Sequence, residues 1–247
     1  MERIILMVLY SIFQLPYWLF RIFQLCDTEK YDTKIRYNFL HKIVPVIIRH
    51  GRIQIECTGL ENLPKENGYI MFPNHQGLFD ALAFLQTHER PFVPVMKKET
   101  KNVFLLKQAI QILQAEIIDR EDIRQSLQVI MNMTRRVKTG ENFLIFPEGT
   151  RSRKGNELLD FKGGSFKSAI NARCPIVPVA LIDSFKAFDT HSIKKLKVQI
   201  HYLKPLYYED YKNMKSIEIA AYVSSLIQDK IKAVELQPKI NDTHAGC

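Results

Sequence analysis

Apolar positions crowd the start of the chain. From Ile4 to Phe20 the run is interrupted only by Ser11, Gln14 and Pro16. As one helix it would reach about 25 Å, short of the roughly 30 Å hydrocarbon core of a bilayer. Pro16 is expected to kink it. No small-x-small cleavage site follows, and Cys26 lacks the small residue a lipoprotein signal needs before its cysteine. The pattern therefore reads as a segment lying in one leaflet or in the interface, with Arg21 at its edge; a buried core helix is the alternative. Tyr31 to His50 repeats Ile35, Phe39, Ile43, Val46 and Ile47 at helical spacing, with Lys34, Arg36, Lys42 and Arg49 as its basic positions. This is a basic amphipathic helix, either on a membrane surface or packed on the next domain.

After Gly51 the period shortens. Ile53, Ile55 and Cys57 alternate as in a strand, and Gly59 to Gly68 is turn-rich. Short apolar runs predict strands at 69–72, 92–96, 116–118, 143–146, 176–181 and 196–202, with Pro94 suggesting an edge or a bulge. Helical patterns fall between them at 78–88, 103–113, 122–137 and 164–172. In the third, Asp122 is the cap, Gly140 the stop, and Ile123, Leu127, Ile130, Met131 and Thr134 the apolar face. Ser216 can cap a last helix to about Val234, and the tail from Gln237 is polar. This alternation predicts an α/β fold, a mixed and largely parallel sheet with helices on both faces, preceded by an N-terminal membrane-associated helical hairpin. The expected division is 1–50 for the N-terminal helices, 51–210 for a catalytic domain and 211–247 for the last helix and tail.

The chain has 247 residues and a net charge of +9, which favours anionic partners: nucleic acid, an anionic membrane surface or phosphorylated substrates. No nucleic-acid motif is recognisable. Cys26, Cys57, Cys174 and Cys247 are scattered, which argues against a zinc site or a disulfide framework.

Two loops carry candidate chemistry. His75 and Asp80 lie in His75-Gln76-Gly77-Leu78-Phe79-Asp80, just past a predicted strand. Within one helix they would stand about 140° apart and could not touch. With His75 in a turn built by Pro73, Asn74 and Gly77, and Asp80 in the first turns of the helix, contact becomes possible. Asp80 could then fix the tautomer of His75, leaving the other ring nitrogen to take a proton from an alcohol. Alone the pair is weak evidence, because a solvated loop histidine is the commoner case. The second loop is Phe146-Pro147-Glu148-Gly149-Thr150-Arg151-Ser152, also directly after a predicted strand. Loops leaving strand ends are where α/β sheets collect their sites, so the two can meet. Gly163-Gly164-Ser165-Phe166-Lys167 lacks the closing glycine of a nucleophile elbow, which favours direct transfer over a covalent intermediate. The remaining histidines have no comparable partner.

These residues resemble the glycerolipid acyltransferases, in particular the bacterial 1-acylglycerol-3-phosphate acyltransferases. Ile117-Ile118-Asp119-Arg120 is similar to that family's second block and Ile176-Val177-Pro178-Val179 to its fourth, and the four blocks keep their order over about residues 51–205. The resemblance implies His75 as general base and Asp80 as its orienter. Arg120 and Arg151 would hold the acceptor's phosphate, while Glu148, Gly149 and Thr150 shape the pocket. It implies transfer from acyl carrier protein or coenzyme A to the 2-hydroxyl of lysophosphatidate, with membrane lipid as a partner and no metal or redox cofactor. The catalytic domain would sit on the cytoplasmic face of a membrane. Lys97, Lys98 and Lys162 could add positive potential. The chain departs from the pattern at Gly77, where serine is common, at Gln114 in place of glycine and at Ile117 in place of phenylalanine. Those departures bear on acceptor and acyl-chain preference.

Overall fold

The computed structural model describes residues 2–119 and 121–236. The chain opens with α1 (Glu2–Tyr10), α2 (Leu15–Leu25) and α3 (Thr33–His50). It continues through β1 (Ile53–Thr58), β2 (Ile70–Pro73), α4 (Phe79–Thr87), β3 (Phe92–Lys97), α5 (Leu106–Ile112) and β4 (Glu116–Ile118). Then come α6 (Ile123–Lys138), β5 (Asn142–Leu144), α7 (Lys167–Ala172), β6 (Ile176–Ile182) and α8 (Lys186–Asp189). β7 (Leu196–Tyr202), α9 (Tyr208–Tyr211) and α10 (Ser216–Glu235) complete it.

The strands form one seven-stranded sheet in the order β1-β7-β6-β2-β5-β3-β4. Among the described strands only the β6–β7 pairing is antiparallel; the other strand pairings are parallel. The expected mixed, largely parallel sheet is what the chain builds. β2 is central, with Ile70 to Pro73 in register with Ile176 to Val179 of β6 and Ile70 and Met71 facing Phe143 and Leu144 of β5. Because β2, β5 and β6 run the same way, their C-terminal ends meet on one edge, where such sheets place their sites. One face is covered by a core drawing on α1 to α5, the other by α6, α7 and α10.

Several expectations need correction. The apolar N-terminal run is two helices, bent by 96° at the break. Pro16 falls in the first turn of α2, where its missing N–H is no loss, so the chain breaks before the proline instead of kinking at it. Among the described residues no single helix is long and apolar enough to cross a membrane. α3 packs on the domain, burying Tyr37, Leu40, Ile43, Val44 and Ile48, while Ile35 is exposed. Arg36, expected as a basic surface position, is buried, and its guanidinium donates to Tyr31 O, Thr33 Oγ1, Ile112 O and Gln114 Oε1. In α6 the buried stripe is Val129, Met133 and Val137, whereas Ile123, Leu127 and Met131 are exposed. Pro94 is not on an edge strand. It pairs with β5, and the β4 ladder begins only at Val95, so the proline sits where that side of the strand is still open. The last helix begins at Ser216, capped at Lys215, whose N–H donates to Glu218. The tail from Gln237 lies outside the described residues.

Candidate active site

β2 ends at Pro73 and α4 begins at Phe79, so His75 stands in the turn and Asp80 in the first helical turn. Asn74 continues the ladder with its side chain: Oδ1 accepts the Leu181 N–H at 2.7 Å and Nδ2 donates to the Leu181 carbonyl at 3.0 Å. This fixes the turn to β6. Asp80 Oδ2 then accepts three donors, His75 Nδ1 at 2.7 Å, Gln76 N–H at 2.7 Å and Gly77 N–H at 3.0 Å. Its Oδ1 accepts the hydroxyl of Ser184. Asp80 is fully buried. A buried position that receives four donors calls for a carboxylate, since any group with an N–H of its own would leave donors facing each other. With Oδ2 as acceptor, the proton of a neutral His75 belongs on Nδ1, and Nε2 carries the lone pair.

The second loop closes on the first through His75 itself. Phe146 O accepts the Gly149 N–H at 3.1 Å, a turn with Pro147 in its second position and Gly149 at φ 79°. That turn places Glu148 behind His75. Glu148 Oε1 accepts the His75 N–H at 2.8 Å and Oε2 the Leu159 N–H at 3.1 Å. The Ser152 N–H donates to the His75 carbonyl at 2.9 Å. The imidazole stacks on Phe146, 4.1 Å between centroids and 28° between planes. Backbone, ring face and Nδ1 are thus all held, and Nε2 has no partner among the described residues. Burial pushes the Glu148 carboxyl up to about 7, helped by the Asp80 charge and opposed by the two N–H donors.

The structure brings together His75, Asp80 and Glu148, with Gly149 buried and Thr150 exposed beside them. Arg151 is half-buried and makes no ion pair or hydrogen bond to a described residue, so its guanidinium is available to an anion. Arg120 lies outside the described residues. Lys98 is already paired with Asp119 at 2.9 Å and Glu121 at 3.4 Å, which largely cancels its expected contribution. Lys162 and Ser165 line a different feature, a groove of about 450 Å³ between α6 and α7 that includes none of His75, Asp80, Glu148 and Arg151. The other histidines join the frame: His41, His50, His88 and His201 bond to Leu85 O, Ser11, Tyr69 and Thr58. His191 is exposed near Glu2, and His244 is outside the described residues. Sequence reasoning missed Ser184, Gln76 and Asn156 as parts of the site. Their bonds span about a hundred positions or less of intervening chain, and no local pattern announces them.

Residues 54–182 match the family model described as Acyltransferase. The chain belongs to the acyltransferase family. Relatives of this acyltransferase include the 1-acyl-sn-glycerol-3-phosphate acyltransferase of Borreliella burgdorferi, 28% identical, with 68% of each chain covered. The protein of that name from Escherichia coli K12 is 27% identical over 78% of each chain. The crystal structure of PlsC, the 1-acyl-sn-glycerophosphate acyltransferase of Thermotoga maritima, shares the fold. It superposes with a TM-score of 0.75 at 22% identity, covering 96% of this acyltransferase and 98% of that chain.

Proposed function

We propose that this acyltransferase moves a fatty acyl group from acyl carrier protein or coenzyme A to the 2-hydroxyl of 1-acylglycerol 3-phosphate, forming phosphatidate. The observation that carries this reading is the 2.7 Å contact between His75 Nδ1 and Asp80 Oδ2, which leaves Nε2, unpartnered among the described residues, to act as a base. The acceptor's O–H gives its proton to Nε2 as its oxygen attacks the thioester carbonyl, whose double bond opens to an oxyanion. Collapse of that adduct breaks the C–S bond, and the leaving thiolate takes the proton back from Nε2. Asp80 stabilises the imidazolium between the two transfers. No covalent acyl-enzyme and no metal or redox cofactor enters this scheme. Arg151, with Arg120 by resemblance, holds the acceptor's phosphate through paired guanidinium bonds. Glu148, Gly149 and Thr150 shape that pocket.

The lipid nature of the acceptor is supported by α1, α2 and the turn between them, which expose Ile5, Leu9, Phe13, Tyr17, Phe20 and Phe23. These helices would lie in the membrane interface, with the catalytic domain on the cytoplasmic face. The +9 charge suits anionic lipid, lysophosphatidate and acidic donors alike. The test is transfer of a labelled acyl group, from either donor, to lysophosphatidate beside glycerol 3-phosphate and lysophosphatidylcholine, with His75→Ala as control. Phosphatidate from the parent alone supports the reading. Transfer to a different acceptor moves the substrate, and activity undiminished in His75→Ala removes the base.

A further inference from the structure

Asp80 is gripped from two sides. The Oδ2 side is local, supplied by the turn that His75 occupies. The Oδ1 side has, among the described residues, one donor, the hydroxyl of Ser184, which arrives from 104 positions further along the chain. Both residues are fully buried, so bulk water cannot replace that donor.

Ser184 is itself held with unusual care. β6 ends at Ile182, and the chain turns at Asp183, whose φ of 62° lies in the left-handed region, uncommon outside glycine though open to aspartate more than to most side chains. The surroundings help to hold that turn. Here the surroundings are two amides. Asn156 Oδ1 accepts the Asp183 N–H at 2.9 Å, and Gln76 Oε1 accepts the Ser184 N–H at 2.8 Å. The two amides bond each other, Gln76 Nε2 to Asn156 Oδ1 at 2.9 Å, and Gln76 also donates to the Leu181 carbonyl at 3.1 Å. Gln76 is the residue after His75. The same turn that presents the imidazole therefore also sets the serine that braces its carboxylate.

We infer that Ser184 is a positioning residue for acyl transfer: its hydroxyl fixes the rotation of the Asp80 carboxylate so that Oδ2 stays on His75 Nδ1. This rests on the His75 chemistry proposed above. Without the hydroxyl, Oδ1 is a buried acceptor with no donor. The carboxylate can then turn about its Cβ–Cγ bond to recover one, at the expense of the Oδ2 contacts. The Gln76 and Gly77 N–H groups still favour the original rotation, so the loss is partial. Because Ser184 is wholly buried it touches neither substrate, and binding should be unaffected.

The experiment measures kcat and both KM values for the full chain in detergent, with rates expressed per folded molecule from thermal melts. The variants are Ser184→Ala and Ser184→Thr, which keeps the hydroxyl. Removing a hydrogen bond to a charged group predicts a fall in kcat of roughly tenfold to a hundredfold in Ser184→Ala, with both KM values unchanged. Ser184→Thr should recover most of it. If Ser184→Ala does not fold, Ser184→Cys, of similar shape with a weaker donor, carries the same comparison. An unchanged kcat per folded molecule, or a folded threonine variant as slow as alanine, overturns the inference. A parent that transfers no acyl group to any acceptor removes the functional reading as well. An active parent with an equally active Ser184→Ala overturns this inference alone.

Discussion

Glu148 Oε1 accepts the backbone N–H of His75 at 2.8 Å, and with the Ser152 N–H on the His75 carbonyl that bond joins the loop after β5 to the loop after β2. It gives Glu148 a part that does not depend on touching substrate: the carboxyl sets the backbone from which the imidazole projects. It also places a buried acid in the site, close to the Asp80 charge.

That burial has a consequence for stability. The Glu148 carboxyl is pushed up from 4.5 to about 7. Below about 4.5 it is protonated whether folded or unfolded. Between 4.5 and 7 the folded protein holds the proton and the unfolded chain releases it, so stability falls as pH rises. Above 7 the loss is complete, on the order of 3 kcal/mol. Glu148→Gln cannot titrate. The difference in melting temperature between parent and Glu148→Gln should shift against the parent from pH 5 to pH 8. A difference that stays constant over that range would show that Glu148 does not titrate there.

Asp80→Asn tests the tautomer argument. The asparagine amide would meet a buried site already supplying donors from Gln76, Gly77 and Ser184. Its oxygen can satisfy some of them, but an N–H facing His75 would force the ring's lone pair onto Nδ1 and the proton onto Nε2. Loss of transfer on the order of 10⁴-fold is expected, as for a triad aspartate replaced by asparagine. Retention of more than a tenth of parental kcat in the folded variant would contradict the assigned orientation.

The β2–turn–α4 unit was readable because its information is local. A four-residue apolar strand, turn formers at Pro73, Asn74 and Gly77, and a helical pattern after Leu78 place His75 and Asp80 within reach without any knowledge of the rest. α6 shows where such reasoning stops. The helix carries two apolar stripes, Ile123-Leu127-Ile130-Met131 and Val129-Met133-Val137, roughly a quarter turn apart around the axis. Periodicity finds a helix but not the stripe the sheet will take, and the sheet takes the second. Arg36 fails for a related reason: charge suggested solvent, yet the carbonyls at the end of α5 and the turn at Tyr31 give its guanidinium enough acceptors to be buried. Ser184 and Asn156 were invisible because their partners are assembled only once β6 lies beside β2.

Arg151 is half-buried and unpaired among the described residues, next to the turn that carries Glu148. If it holds the acceptor's phosphate, Arg151→Ala should raise KM for the phosphorylated acceptor by roughly tenfold to a hundredfold, with KM for the thioester donor unchanged. Arg151→Lys should recover only part of this, because a point charge cannot form the paired bonds of a guanidinium. Equal acceptor KM values for parent and alanine variant would sink this role.

The apolar surface of α1, α2 and the turn that joins them offers the last test. Leu9, Phe13 and Phe20 are 59%, 93% and 60% exposed. They contribute little to the folded core, and substitution at such surface positions usually changes stability by no more than about 0.5 kcal/mol. Trp18 and Leu25, by contrast, are buried, and Arg3 ties α1 to the carbonyls of Gly51 and Lys194. Deleting these helices would therefore damage the domain as well as any anchor, which makes point substitution the cleaner experiment. Each large apolar side chain returned from lipid to water costs about 1.5–3 kcal/mol. The triple variant Leu9→Glu, Phe13→Glu, Phe20→Glu should then lose at least roughly a hundredfold in partitioning to anionic vesicles, with its melting temperature nearly unchanged. Co-sedimentation with vesicles measures the first and a thermal melt the second. A variant that melts like the parent and still pellets with lipid would show that α1 and α2 are not what holds this protein to a membrane.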